Sequence, residues 1–291
     1  MSGPFSLRIA HLSDTHFGTE VAPVRDALLE ELRADAPDLL VVTGDITQRA
    51  RRAQFARARS FLEALGPVPR VCLPGNHDLP LFDLFTRFTR PYARFRRYIS
   101  PGLEPEYVDD RVALLCVDAT SPYRHKDGAL PPPKVALFAS RLARLTQPFR
   151  ILATHQPLAS ATEADRRNVA HGAHLALERW IGAGADLFLG GHIHLPYCLP
   201  VRAQEGQRAA VLLQAGTAVS RRTRRGVPNS YNVIHLGQES GWRRMRIERR
   251  DFDAGARRFL PRHRHLAMAP LREEGRGGDG AGWNVVAEEH A

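Results

Sequence analysis

The chain has 291 residues, of which 43% are hydrophobic and 25% charged, and these proportions exclude a wholly disordered protein and a fibrous one. No apolar run reaches the roughly 18 residues that a membrane-spanning helix needs. The net charge of +10 favours anionic partners such as phosphate esters, nucleic acid or an acidic membrane face, although a general preference for arginine in the genome would produce the same surplus.

Three cysteines, Cys72, Cys116 and Cys198, are widely spaced and lie in or beside apolar runs. This pattern favours reduced, buried thiols over a disulfide framework or a thiolate-zinc site. The N-terminus leads into an apolar run at Leu7 without a signal-like segment before it. We therefore expect a cytoplasmic protein.

The first part of the chain is predicted to form two β-α-β units. A strand at Leu7–Leu12 leads to an amphipathic helix at 24–34 and a second strand at 38–43. A helix at 50–65 and a strand ending before Asn76 follow, and such connections place neighbouring strands in parallel. Residues 81–99 are rich in phenylalanine and arginine and contain Pro91, which predicts two short helices or a helical cap over a pocket.

The second part of the chain continues the pattern and then changes. The next predicted elements are strands at 106–108, 112–118, Phe149–Ala153 and 186–189, and helices at 130–145 and 171–181. The last predicted strands, at Ala209–Gln214, 231–235 and 242–249, alternate in the manner of antiparallel sheet. We therefore predict one α/β domain over residues 5–265 and a disordered tail over 270–291, where apolar residues are few.

Five of the predicted strands end in histidine, aspartate or asparagine. These residues are Asp14, His16, Asp45, Asn76, His155, His192 and His194. Each has an ordinary explanation when taken singly, because an aspartate after a strand is commonly a turn residue or a helix cap and a lone histidine is commonly a core or surface residue. Seven such residues at one edge of a sheet argue against coincidence, since α/β proteins build their sites at the carboxyl ends of strands.

The seven residues form a set of metal ligands without a thiolate. Four imidazoles, two carboxylates and one carboxamide suit manganese, iron, zinc or nickel, and are too rich in imidazole for calcium. One ion does not need seven ligands, whereas two ions that share a carboxylate would use them all. A pair of ions about 3.5 to 4 Å apart can hold a hydroxide and bind both non-bridging oxygens of a phosphoester. The sequence therefore predicts a two-metal hydrolase.

These motifs resemble those of a known family, the calcineurin-like metallophosphoesterases. The matching motifs are Asp14-x-His16, Gly44-Asp45, Gly75-Asn76-His77-Asp78, His155 and Gly191-His192-x-His194. The resemblance covers roughly residues 7–217. It implies a four-layer α/β (α+β) sandwich in which two packed mixed β-sheets are flanked by helices and the dimetal site lies at the carboxyl ends of the strands.

The resemblance also implies a role for each residue. It assigns the first ion to Asp14, His16 and His194, the second ion to Asn76, His155 and His192, and the bridging position to Asp45. His77 is then not a ligand but stands beside the leaving-group oxygen as a proton or hydrogen-bond donor, and Asp78 orients its ring. The implied reaction is in-line attack on phosphorus by a hydroxide held between the ions.

Within the family, the motifs look most like those of bacterial class III cyclic-nucleotide phosphodiesterases and glycerophosphodiesterases. This implies a small phosphodiester substrate, a cyclic nucleotide or a glycerophosphodiester. The chain departs from the pattern at Gln156, where many relatives carry a second histidine, and the departure concerns substrate preference. Relatives of this group often associate, so a homo-oligomer is expected by analogy.

Arg221 and Arg222 follow the last strand of the site and are candidates to contact the substrate, because a guanidinium suits phosphate; a solvated basic loop is the other explanation. A phosphomonoesterase or a nuclease of the same superfamily is the alternative function, and the positive charge favours the nuclease. Nucleic acid ranks below a small diester because the chain lacks the interleaved aromatic and basic residues that stack bases. A non-catalytic scaffold is least favoured because every motif position is filled.

Overall fold

The computed structural model describes residues 5–203, 208–224, 226–271 and 282–290. Within them, helices α1 to α6 span Ala22–Asp35, Arg52–Ala64, Leu84–Thr89, Ala93–Tyr98, Pro132–Ala143 and Ala173–Gly182. Strands β1 to β13 span Leu7–Leu12, Leu39–Thr43, Arg70–Leu73, Glu106–Val108, Val112–Cys116, Phe149–Ala153, Leu187–Gly190, Tyr197–Arg202, Ala209–Gln214, Ser230–Glu239, Trp242–Asp253, Arg258–Pro270 and Asn284–His290. Short 3-10 turns occur at Asn76–Asp78 and Glu163–Asn168.

The strands form two mixed sheets. The first has the order β13-β12-β11-β10-β1-β2-β3 and the second the order β4-β5-β6-β7-β9-β8. Strands β1, β2 and β3 are parallel, as are β5, β6, β7 and β9, and antiparallel strands extend each sheet. The parallel pairs follow from the helical crossovers between them, except for β7 and β9, which are connected through strand β8. The predicted fold class is confirmed.

Alternating side chains along the strands build the four layers. On β1, Leu7 and Ile9 belong to the core between the two sheets, whereas Leu12 packs with residues of α1 and α2. On β5, Leu114 belongs to the same central core and Leu115 to a cluster with α5 and α6. Because the central strands are covered on both faces, their sequences are apolar throughout rather than alternating.

The C-terminal end differs from the predicted disordered tail. Strand β13 pairs antiparallel with β12 at the edge of the first sheet, and Trp283 before it is 1% exposed and stacks on Phe149 with ring centroids 6.0 Å apart. The prediction of disorder was wrong for residues 270–271 and 282–290. Pro270 ends β12, the Leu271 nitrogen donates to the Gly241 carbonyl, and the low apolar content of the tail gave no sign that one tryptophan would be buried and one strand would pair at the sheet edge. The remainder of the predicted tail, residues 272–281 and 291, lies outside the described residues.

The segment 81–99 forms the two short helices α3 and α4, one of the two predicted alternatives. Phe95 of α4 is buried, and Tyr98 stacks on Phe55 of α2 with ring centroids 6.2 Å apart. Cys72 and Cys116 are buried, as predicted, whereas Cys198 is half-buried, and none of the three forms a disulfide. In the part of the chain that the structure describes, no helix combines the length and the apolar character needed to cross a membrane.

Candidate metal centre

The seven strand-end residues lie together at one edge of the sandwich. Asp14, His16 and His194 form one cluster of ligand atoms, and Asp45, His155 and His192 form a second, with the ligand atoms of each cluster within 4.8 Å of one another. Asn76 completes the second cluster, since its Oδ1 lies 3.2 Å from His155 Nε2. The residues come from loops after β1, β2, β3, β6 and β7, whose carboxyl ends meet at this edge.

The first cluster has the character of a cation site. Asp14 Oδ1 lies 3.3 Å from His194 Nε2 and 3.6 Å from His16 Nε2, and the two nitrogens are 3.2 Å apart. The Asp14 side chain is fully buried, and its Oδ1 has no hydrogen-bond partner. A buried carboxylate oxygen left unpaired beside two imidazole nitrogens is costly unless a cation binds them, so the donor set fits a metal ion.

The second cluster is joined to the first through Asp45. His155 Nε2 lies 3.3 Å from Asp45 Oδ1, while His16 Nε2 lies 3.7 Å from Asp45 Oδ2. His192 packs edge-on against His155 with ring centroids 5.1 Å apart, and its buried Nδ1 has no hydrogen-bond partner. One carboxylate oxygen therefore faces each cluster, which is the arrangement that a ligand shared by two ions requires.

Backbone carbonyls orient two of the imidazoles. His155 Nδ1 lies 2.7 Å from the Thr43 carbonyl oxygen, and His194 Nδ1 contacts the Arg222 carbonyl oxygen. Because a carbonyl only accepts hydrogen bonds, each Nδ1 carries the hydrogen and each Nε2 is directed into the site. Metal-binding histidines in proteins are commonly oriented in this way.

The loops that carry the ligands have unusual backbone conformations. Five of the seven residues have φ in the left-handed region: Asp14 (52°), His16 (42°), Asp45 (49°), His192 (76°) and His194 (58°). Such conformations cost non-glycine residues roughly 1 kcal/mol or more each, and they cluster at functional sites. Two motif glycines permit the close approach of these loops, because an added Cβ would lie 1.8 Å from Ser13 Oγ at Gly191 and 2.2 Å from the Asp45 nitrogen at Gly75.

Burial and mutual contacts set the protonation states. Burial alone would raise the pKa of Asp45, but the imidazoles of His155 and His77 outweigh it and hold that pKa well below its usual range. Burial lowers the pKa of His16 and of His192 to about 4, so both rings are neutral at pH 7, as metal binding requires. For His155 the contact with Asp45 overcomes burial and raises the pKa to about 9, so a metal ion must displace a proton there.

His77 lies at the cavity wall, and its ring nitrogen is also within 4.8 Å of the candidate ligand atoms of His16 and Asp45. Its backbone nitrogen donates to Asp45 Oδ1 at 2.8 Å, and its Nδ1 donates to the Gln48 carbonyl oxygen at 2.9 Å. Its Nε2 faces the site, 4.0 Å from Asp45 Oδ2. Arg222 Nη1 lies 3.1 Å from the same Nε2. The family resemblance implies that His77 stands beside the leaving-group oxygen. This geometry is compatible with that position.

Asp78 has different partners from those expected. Its carboxylate accepts from the backbone nitrogens of Gly75, Ile46 and Thr47 at 3.0, 3.0 and 2.8 Å, and from Thr47 Oγ1 at 2.9 Å. The expectation that it orients the His77 ring was wrong, because the 3-10 turn directs its side chain back into the loop after β2. Asp78 instead holds together the two loops that carry Asp45 and Asn76.

A cavity of about 430 Å³ opens above the two clusters. Its walls include Lys126, Asp165, Asn168, Arg222 and Arg224. Arg224 Nη1 is paired with Asp165 Oδ1 at 2.9 Å, while Lys126 is exposed. The cavity therefore combines a metal-ligand floor with basic walls, which suits an anionic substrate.

The structure separates the two candidate arginines. Arg222 is half-buried in the cavity wall, and its backbone carbonyl also accepts from the candidate ligand His194. Arg221 is exposed and does not line the cavity; its backbone nitrogen donates to the Thr19 carbonyl at 3.0 Å. Arg222 therefore lines the cavity and Arg221 does not.

Sequence reasoning missed Lys126 and Arg49 as residues of the site. Lys126 lies in a loop far from every motif, and nothing in the sequence marks it. Arg49, whose Nη1 is 3.3 Å from His77 Nδ1, follows the Gly-Asp motif by four residues, and that spacing was the available signal. Gln156 is fully buried, and its Nε2 donates to the Lys126 carbonyl at 3.2 Å, so it supports the loop that carries Lys126.

Comparison with known proteins identifies relatives of this chain. The family model of the calcineurin-like phosphoesterases matches residues 7–196. A probable cyclic nucleotide phosphodiesterase of Synechococcus sp. is 24% identical over 249 residues, which cover 82% of this chain and 91% of that protein. The glycerophosphodiester phosphodiesterase GpdQ of Enterobacter lignolyticus is 28% identical over 171 residues, which cover 52% of this chain and only 57% of that protein.

Solved structures share the fold at low identity. A purple acid phosphatase from yellow lupin (Lupinus luteus) seeds has a TM-score of 0.64 and 11% identity, covering 86% of this chain and 52% of that chain. A dimetal phosphatase from Danio rerio has a TM-score of 0.60 and 13% identity, covering 88% of this chain and 98% of that chain. The family model spans well over half of the sequence and includes all seven strand-end residues. The chain therefore belongs to the calcineurin-like phosphoesterase family and is a hydrolase of its dimetal type.

Proposed function

We propose that this protein is a metal-dependent phosphodiesterase that hydrolyses a small phosphodiester of the cyclic-nucleotide or glycerophosphodiester type. The observation that carries the proposal is the pair of ligand clusters joined by Asp45 on the floor of a basic cavity. The two sequence relatives, a probable cyclic nucleotide phosphodiesterase and a glycerophosphodiester phosphodiesterase, support the choice of a diester. The cavity volume of about 430 Å³ suits a small substrate.

The ligand clusters would hold two metal ions in the proposed enzyme. Asp14, His16 and His194 would bind one ion, and Asn76, His155 and His192 the other. Asp45 would contact both, because its two oxygens face different clusters. When bound, such a pair of ions supplies an activated nucleophile at neutral pH and electrostatic stabilisation of the phosphoryl oxygens.

The chain's own contribution to leaving-group departure lies with His77 and Arg222. Burial lowers the pKa of His77, while the nearby carboxylate of Asp45 and the bond to the Gln48 carbonyl oppose that shift. Because Nδ1 donates to the Gln48 carbonyl, His77 would donate to the leaving oxygen from Nε2 as the doubly protonated imidazolium; the neutral ring presents an unprotonated Nε2. The guanidinium of Arg222 at that nitrogen supplies a permanent positive charge where negative charge develops on the leaving oxygen.

The decisive experiment compares hydrolysis of bis-p-nitrophenyl phosphate with that of p-nitrophenyl phosphate, in the presence of manganese and in the presence of EDTA. We expect diester cleavage to exceed monoester cleavage and EDTA to abolish both. His77→Ala should lower kcat by about 10² to 10⁴-fold. The matched control is His174→Ala, which removes an exposed histidine from α6 and should leave the rate unchanged.

Two results would overturn the proposal. A preference for the monoester would make the protein a phosphomonoesterase, which the basic walls of the cavity would also suit. Full-length folded protein without activity under manganese, iron, zinc or nickel, and without bound metal, would indicate a scaffold that retains the fold alone. If the diester activity is present, cyclic nucleotides and glycerophosphodiesters are the substrates to compare next.

A further inference from the structure

Five large apolar side chains lie exposed together in the segment around α3 and in the loop 121–127; we name them the aromatic patch. The exposed fractions are 76% for Phe82, 58% for Leu84, 80% for Phe85, 53% for Phe88 and 81% for Tyr123. The rings of Phe88 and Tyr123 are stacked with centroids 5.8 Å apart, which joins the two segments into one surface. Scattered exposed apolar residues are ordinary, whereas a contiguous group of this size marks a site of interaction.

A buried arginine beneath the aromatic patch connects its two segments by hydrogen bonds. Arg87, in the same helix as Phe85 and Phe88, is only 5% exposed. Its guanidinium donates to the carbonyl oxygens of Pro80, Pro122 and Arg124 at 2.9, 2.6 and 3.1 Å, and so ties α3 to the loop 121–127. Here a charged side chain is buried while its phenylalanine neighbours face solvent. Several large exposed aromatic side chains above a buried, fully bonded arginine favour an interaction surface.

The aromatic patch flanks the mouth of the metal-centre cavity. The Phe82 ring lies 5.9 Å from Arg49 Cζ, and Arg49 Nη1 lies 3.3 Å from His77 Nδ1. Lys126, three residues after Tyr123, lines the cavity. The His125 ring between them lies 6.4 Å from the His77 ring. Whatever binds the aromatic patch is therefore brought to the opening through which substrate enters.

The charges around the aromatic patch distinguish between its potential partners. Residues 81–99 contain five arginines interleaved with aromatic residues, so the expectation that the chain lacks such interleaving was wrong for this segment. The one acidic residue there, Asp83, is already paired with Arg94 at 2.7 Å. Arg90 on one side and Arg124 and Lys126 on the other are exposed. A two-fold contact between two copies would bring these cations face to face, because such an interface uses the same surface twice.

An anionic lipid surface fits the same chemistry. Aromatic rings insert at the level of the headgroups, and basic side chains at the rim bind their phosphates. Four aromatic side chains, each of about 150 to 250 Å² and more than half exposed, offer roughly 500 Å² of apolar surface for this purpose. The area is sufficient for reversible attachment without a spanning segment.

We propose that the aromatic patch docks this protein onto an anionic lipid surface, with the rings of Phe82, Phe85 and Tyr123 entering the headgroup region. Arg90, Arg124 and Lys126 bind headgroup phosphates around them. Docking in this orientation places the cavity mouth at the lipid surface. The proposal does not depend on the nature of the substrate, since attachment precedes and does not require catalysis.

The test is co-sedimentation of the full chain with vesicles, one set of phosphatidylcholine alone and one set containing phosphatidylglycerol. We expect binding to the phosphatidylglycerol vesicles to exceed binding to the neutral ones by about tenfold or more, and to weaken with added salt. The double substitution Phe85→Ser and Tyr123→Ser should reduce that binding by about tenfold or more. The matched control Leu137→Ser removes a side chain that is 56% exposed on α5, and should bind as the wild type does.

Three outcomes would overturn the proposal. Equal binding by the double variant and the wild type would mean that surface charge alone attracts the vesicles. Equal loss in the Leu137→Ser control would mean that apolar surface anywhere suffices. No vesicle binding, together with a dimer in sedimentation velocity that the double variant abolishes, would assign the aromatic patch to a second copy. Hydrolysis of bis-p-nitrophenyl phosphate, measured without vesicles on the same samples, keeps failure of docking separate from failure of the phosphodiesterase proposal.

Discussion

The two ends of strand β7 differ in character. A buried aspartate precedes its amino end, and two histidines of the candidate metal centre follow its carboxyl end. Asp186 precedes the strand, and His192 and His194 follow it. Asp186, like Asp14 in the metal centre, has no solvent exposure. The difference lies in their partners, because the carboxylate of Asp186 is bonded at both oxygens while Asp14 Oδ1 has no partner.

The Asp186 end is a closed ionic cluster. Its Oδ1 accepts from Arg208 Nη2 at 2.9 Å, from Arg243 Nη1 at 2.8 Å and from Trp283 Nε1 at 2.9 Å. Its Oδ2 accepts from the Arg150 backbone nitrogen at 2.9 Å. These donors join both sheets and the C-terminal segment around one carboxylate, so the cluster stabilises the fold and offers no coordination site.

The candidate metal centre, at the carboxyl end of β7, differs from the Asp186 cluster in having a carboxylate that is incompletely hydrogen-bonded. Its carboxylates face imidazoles across gaps of 3.3 to 3.7 Å, and five of its residues have a left-handed backbone. Buried charge and backbone strain at one place are expected where binding of a ligand compensates them. Asp14 and Asp186 are therefore equally buried, and what distinguishes them is the Asp14 oxygen that has no hydrogen-bond partner.

The largest expected effect comes from Asp45→Asn. The substitution keeps the shape of the side chain and the acceptor for the His77 backbone nitrogen, but removes the charge shared by the two clusters. Diester hydrolysis should fall by about 10³-fold or more, because two-metal stabilisation of the reacting oxygens is lost. The metal content of purified protein, measured by plasma mass spectrometry, should fall with it.

Asp186→Asn should lower the stability of the protein but leave its metal content and activity intact. It leaves the guanidinium groups of Arg208 and Arg243 beside a neutral amide, and losing one partner of a buried ion pair costs about 3 to 5 kcal/mol. Urea unfolding followed by fluorescence measures this loss, with the exposed Asp127→Asn as the control. Metal content and activity at low temperature should be retained. If Asp186→Asn lost metal without losing stability, the Asp186 cluster would not be the structural counterpart of the candidate metal centre.

Removal of metal should destabilise the protein to a smaller extent. A ligand that binds only the folded state at a concentration 100 times its dissociation constant contributes about 2.7 kcal/mol, and EDTA should remove a contribution of this order. Thermal unfolding with manganese and with EDTA measures the difference. The same comparison for Asp45→Asn should show little change, because that variant has lost the shared ligand. An equal response in both proteins would show that the metal effect arises outside the centre.

The smallest of these effects should distinguish two neighbouring arginines. Arg222→Ala removes a guanidinium from the cavity and should lower kcat/KM for the diester by about 10- to 100-fold, the equivalent of one charged hydrogen bond. Its metal content should not change, because the contact with His194 comes from the backbone carbonyl. Arg221→Ala, one residue away but exposed, should leave kcat/KM unaltered. Equal losses would show that the basic loop acts through its overall charge.

The sequence alone determined the fold class and the seven strand-end residues. Metal coordination admits few residue types, and parallel strands place their carboxyl ends at one edge, so His155 and His192 could be assigned to one site although 37 positions separate them in the chain. The strands themselves were recognisable because their apolar runs are continuous, as strands covered on both faces require.

Only the tertiary structure decided the partners of the polar side chains. Asp186 and Trp283 meet across 97 positions, and Asp78 bonds to Ile46 and Thr47 rather than to its neighbour His77. Arg222 enters the cavity while Arg221 does not. Such choices depend on strand register, on the turn at each loop and on the packing of two sheets. Motifs report which residue types are present at strand ends, but the direction of each side chain follows from backbone geometry that only the assembled layers impose.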